Sequence, residues 1–158
     1  MTVLRILATG VAAAATWWAG IMIVFGPAQS ILADPARQSA KFLAAFGEEP
    51  LPRMAAHPEV VPLGLLGIGL LYACAFELVG TRLPGSTFVR GIRFGFVAWL
   101  LLIPWFEFYL PWNVMLEPWP LVLLEGLCWM IVLLGVGVVT SGVNRVVRRR
   151  PALAIAPR

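Results

Sequence analysis

Glu107 and Glu125 stand where a membrane-type sequence would ordinarily carry leucine or valine. From Trp105 the chain reads Trp-Phe-Glu-Phe-Tyr-Leu-Pro-Trp-Asn-Val-Met-Leu-Glu-Pro-Trp-Pro, ending at Pro120, and Glu125 follows five residues later. A charge in hydrocarbon costs about 2.5–3.5 kcal/mol on insertion scales, so it persists where something satisfies or uses it. Two carboxyls can share a proton, hold a cation or accept from a ligand, and one alone can serve as a general base. Asn113 and Glu117 lie between the pair in sequence, and Lys41 and His57 stand in an earlier polar stretch. These six residues make up the candidate ligand or ion site. Cysteine and histidine spacing of the metal-binding kind is absent, and no cofactor is called for.

The elements that must position these groups follow from composition. In 158 residues, 60% are apolar and 13% charged, against roughly 25% charged in a soluble domain. Four apolar runs, 3–25, 60–79, 92–110 and 119–140, reach the roughly 17–25 residues needed to cross a bilayer. In lipid each must be a helix, because every backbone amide has to be paired within its own segment. The predicted fold is an all-α integral membrane protein, a single domain of four transmembrane helices in an antiparallel bundle over 1–147. The first run is too long for a signal core of about 7–15 residues, which makes it a retained span.

Basic residues set the expected orientation. Arg5 precedes the first run. Arg82, Arg90 and Arg93 fill the link between the second and third, and Arg145, Arg148, Arg149 and Arg150 follow the fourth. The other two links are mixed or acidic. Both termini are therefore expected in the cytoplasm, with the chain in a plasma membrane of the bacterial inner-membrane kind and residues 148–158 a basic, disordered tail. The net charge of +4 is a consequence of this asymmetry, so membrane lipid, and not nucleic acid, is the expected partner.

The outer stretch 27–59 is too long for an idle link. Asp34-Pro35 reads as a helix start and Gly47 as its stop, predicting a short amphipathic helix over about 35–46 that lies on the outer interface or caps the bundle. At 1.5 Å per residue, Glu107 lies about 8 Å below Trp112 and Glu125 about 9 Å below Trp119, so the two acids can meet at one depth under that cap. Pro104, three residues before Glu107, removes a backbone donor beside them.

Three functions fit this pattern. The glutamates tie the bundle together in a non-enzymatic accessory subunit or homo-oligomer; they form a proton, cation or small-ligand site of a transport component; or one acts as base in a lipid-modifying enzyme. The single histidine, His57, followed by Pro58, reads as a loop residue and weakens the last. Glu77 is separate, and its nearest cations in sequence, Arg82, Arg90 and Arg93, predict a structural ion pair. Cys74 and Cys128 differ in depth by more than a disulfide spans. Gly64, Gly67, Gly69, Gly91, Gly95, Gly135 and Gly137 mark close helix contacts, either inside the bundle or with a partner.

Overall fold

Apolar length alone forces helix in this chain, and the computed structural model, which describes residues 2–48 and 51–153, is all-helical with no strand among them. Helix α1 (Thr2–Gly20) passes through a widened π-helical turn, Ile21–Phe25, into α2 (Gly26–Leu32). Two short helices follow, α3 (Ala40–Gly47) and α4 (Arg53–Ala56). Then come α5 (Val60–Leu78), α6 (Thr87–Glu107), which runs into a second π-helical turn at Phe108–Val114, and α7 (Trp119–Leu153). Four helical stretches are long and apolar enough to cross a membrane: Val3–Leu32, Val60–Arg82, Thr87–Val114 and Trp119–Arg148.

Helix α7 is the hub. It packs along both α1 and α6, while α5 lies against α1. Its Cys128, Val132, Leu133 and Val136 are buried with Ala13, Tyr72, Phe76 and Phe94. Edge-on ring pairs fill the middle: Trp17 on Tyr72 with centroids 5.1 Å apart, and Phe76 on Phe94 at 5.1 Å. Such tilted pairs suit the aromatic quadrupole. The outward faces are apolar as well, with Leu71 69% and Leu101 71% exposed, as a surface solvated by lipid requires.

The glycines divide cleanly. A Cβ on Gly91 would lie 2.6 Å from the Val138 Cα, and one on Gly95 would collide with the Leu133 carbonyl, so α6 and α7 touch backbone to backbone. Gly69 is likewise closed in by Gly10 and Ala14 of α1. Gly64, Gly67 and Gly135 face open space. Close approach is what binds apolar helices when lipid removes any hydrophobic force between them.

Two expectations need correction. Helix α3 begins at Ala40, not Pro35, and its cap is Ser39, whose hydroxyl accepts from the Phe42 amide at 2.9 Å. Asp34 instead closes a tight turn, accepting from the Ala36 amide at 3.0 Å and from Arg37 Nε at 3.0 Å. An Asp before Pro suits a turn as well as a helix start, and here the local hydrogen bonds favour the turn. At the other end α7 continues past Arg148 to Leu153, where a disordered tail is expected; residues 154–158 lie outside the described residues.

Candidate functional site

The three acids at the Trp112 end occupy two adjoining cavities. Helix α6 ends at Glu107, and the wide turn after it carries Pro111 and Trp112 back toward the start of α7. Between α6 and α7 opens a cavity of about 430 Å³, lined by Trp99, Ile103, Pro104, Phe108, Trp119 and Leu127 among others. Its wall is apolar except for Glu107. That residue is 4% exposed, and neither carboxylate oxygen has a hydrogen-bond partner among the described residues. Trp99 is held in place by its indole, which donates to the Gly126 carbonyl at 2.9 Å. Phe108, Trp112 and Trp119 stack in a column at centroid spacings of 4.9 Å, which fixes the rim.

The second cavity, about 350 Å³, lies where α2 and α3 meet the start of α7. Gln29, Gln38, Phe42, Pro111, Glu117 and Glu125 are on its wall, and Val122 lines both cavities. Glu117 is buried and its carboxylate accepts from the Ser39 amide at 3.3 Å. The Ser39 hydroxyl donates to the Met115 carbonyl, and Gln38 donates to the Leu32 carbonyl. Leu116 takes a left-handed φ of 59°, which lets the Glu117 amide reach back to the Pro111 carbonyl at 2.9 Å. So the segment leading into α3 is sewn to the α6–α7 link. Glu125 is half-buried, with the Trp129 indole as its hydrogen-bonding neighbour.

Thus Glu107 and Glu125 stand on two helices that pack together, yet they line separate cavities. Glu117 shares the cavity of Glu125, while the other three expected members do not line either cavity. Asn113 and Lys41 are exposed, and His57, also exposed, is paired through Nδ1 with Glu59 at 3.3 Å. None of Glu107, Glu117 and Glu125 is in an ion pair among the described residues. Sequence reasoning passes over Ser39, Gln29 and Gln38. A serine in a mixed polar stretch carries no signal of its own.

Glu77, at the opposite end, is saturated. Arg5 Nε donates to it at 2.5 Å and Arg5 Nη2 at 2.9 Å, Arg148 Nη2 donates at 2.9 Å, and Asn144 donates through its amide. The partners expected from sequence are engaged elsewhere. Arg90 donates to the Leu83 carbonyl at 3.0 Å and Arg93 to the Pro84 carbonyl at 2.7 Å, while Arg82 is exposed. Arg90 and Arg93 stand in the first turns of α6 beside a link that turns back on itself, so the free carbonyls of that link capture them first. Thr9, Tyr72 and Thr140 add buried hydroxyls without hydrogen-bond partners among the described residues. Cys74 and Cys128 are free thiols.

No protein-family model, curated protein or solved structure matches this chain.

Proposed function

We propose that the chain is a multi-pass integral membrane protein whose α6–α7 cavity binds a small lipophilic ligand through Glu107. The four spans form an antiparallel bundle in a bacterial inner membrane, with both termini and the Glu77 end cytoplasmic. That orientation is supported by Arg5, Arg82, Arg90, Arg93, Arg145 and Arg148, which all lie in or beside that end of the sequence pattern. Helix α3, capped by Ser39, acts as an amphipathic outer lid over the Glu125 cavity.

One observation carries the ligand reading: a carboxyl buried in an apolar wall with both oxygens unpartnered. A glutamate kept only to fasten helices together would have partners, since buried polar atoms almost always do. Glu77 shows what that looks like in this same chain. A cavity of about 430 Å³ falls within the roughly 300–1,000 Å³ usual for ligand sites, which are mostly apolar with a few polar groups fixing orientation. The ligand class follows: an apolar body that fits between Trp99 and Trp119, carrying an N–H, O–H or ammonium group for Glu107.

The test uses purified protein in mild detergent with an aryl-alkyl amine and its neutral carbon isostere as probes. The amine should raise the melting temperature more than the isostere does, and Glu107→Gln should abolish that difference while keeping the fold. Equal stabilisation by both probes, or a difference that survives Glu107→Gln, would sink the proposal. Counter-flow of the amine in proteoliposomes then separates binding from transport.

A second reading, an accessory subunit or homo-oligomer, is favoured by the open face of α5. Gly64 and Gly67 are exposed there with nothing within 4 Å of an added Cβ. Native mass spectrometry of wild type against Gly64→Leu/Gly67→Leu tests it; an unchanged monomer in both would remove it.

A further inference from the structure

A third cavity lies at the Glu77 end. About 230 Å³ in volume, it is lined by Thr81, Arg90, Ser141, Asn144, Arg145 and Arg148, with Phe76 at its base. Three guanidiniums therefore converge on one small space between the start of α6, the turn after α5 and the last part of α7. Each is held by a bond that leaves most of its five N–H donors available. Arg90 donates to the Leu83 and Gly85 carbonyls, Arg145 to the Thr87 hydroxyl at 2.8 Å, and Arg148 to Glu77. The Ser141 hydroxyl donates to the Thr87 carbonyl at 2.8 Å, which fixes α7 against the first turn of α6.

Charge here is unbalanced. Glu77 is the only acid in the sequence between Val60 and Phe106, and no acid follows Glu125. That one carboxylate is already shared by Arg5, Arg148 and Asn144. Among the described residues neither Arg90 nor Arg145 has a carboxylate partner. Arg145 and Arg148 are open to solvent and Arg90 is half-buried, so an oxyanion can enter and offset their like charges, and planar guanidiniums favour the geometry of phosphate. Phe88 and Val146, on the same two helices, are exposed apolar residues.

We infer that this cavity binds a phosphate oxyanion, of the kind carried by an anionic phospholipid headgroup or by free phosphate. Basic pockets between spans on the cytoplasmic side commonly take such headgroups. Arg90 and Arg145 supply the unmatched charge, and Arg148 joins the anion to the Glu77 cluster. The inference is independent of Glu107 and its cavity.

The test measures melting temperature and lipid retention by native mass spectrometry for protein in neutral detergent. The probes are phosphatidylglycerol, phosphatidylcholine and inorganic phosphate. Phosphatidylglycerol should stabilise and remain bound where phosphatidylcholine does not. Arg145→Gln should raise the half-saturating concentration about tenfold, the loss expected for one charge-assisted contact. Arg90→Gln should act similarly; because it also frees the link carbonyls, Arg145→Gln is the deciding variant. Arg93→Gln, which removes a nearby exposed charge outside the cavity, should change it less than about twofold. Protection by inorganic phosphate as well as lipid assigns a free oxyanion, and protection by lipid alone assigns the headgroup; either supports the site. Equal effects of phosphatidylcholine, equal loss in Arg93→Gln and Arg145→Gln, or no protection by any anion would overturn it.

Discussion

Glu77 and Glu107 are the same residue type in helices of similar apolar character, and the protein treats them in opposite ways. Glu77 receives two arginines and an asparagine from α1 and α7, so three helices meet at one carboxylate. Glu107 is more deeply enclosed and has no partner for either oxygen among the described residues. The first arrangement fastens helices; the second is what the proposed ligand role of Glu107 rests on. Depth of burial does not distinguish the two roles. Saturation does.

The largest effect should come from Glu77. Glu77→Gln keeps the shape but removes the charge that Arg5 and Arg148 share, and breaking a buried pair costs roughly 3–5 kcal/mol. Arg148 remains about half solvated, with a side chain 45% exposed, which favours the lower end of that range. Chemical or thermal unfolding in detergent measures it. A loss of a few tenths of a kcal/mol, no more than an exposed pair contributes, would erase the contrast on which the Glu107 reading depends.

Glu107→Leu should move stability the other way. Removing an unsatisfied buried polar group recovers its desolvation penalty, about 1–3 kcal/mol, and leucine suits a wall already made of Ile103, Phe108 and Leu127. The variant should therefore be at least as stable as wild type while losing amine binding. Marked destabilisation would mean that Glu107 has a structural partner in the membrane, and the two glutamates would then belong to one class.

This contrast explains which parts of the molecule are legible in the sequence. Four long helices are, because apolar length and the need to pair backbone amides in lipid leave no alternative. Their ends are less so: helix continues through Gln29 and Ser30 to Leu32, where hydropathy has already faded. That Glu107 and Glu125 fall near the same end of two packed helices follows from counting residues along them. That they face different cavities does not, since Val122 and the widened turn after Glu107 decide it. The partners of Glu77 are the clearest failure. Arg5 and Arg148 are 72 and 71 residues away in the chain, and which helices flank α5 is tertiary information. Residues that gain meaning only from a neighbour, such as Ser39 and Asn144, stay silent until the helices are assembled.

Ser39 supplies the smallest test, and it concerns whether the two cavities at the Trp112 end are separate. Its hydroxyl caps α3 and also donates to the Met115 carbonyl, while its amide donates to Glu117. Ser39→Ala keeps the amide contact and removes the other two, a loss of about 1 kcal/mol for a helix cap. Since α3 makes its own local unit outside the four long helices, the loss should appear as faster hydrogen exchange in Ala40–Gly47 rather than as a lower global stability. Amine protection through Glu107 should be unchanged, because neither Ser39 nor any residue of α3 lines the α6–α7 cavity. If instead loosening α3 weakened the amine as well, the lid would control both spaces across Val122, and Glu107 and Glu125 would have to be read as one site with two rooms.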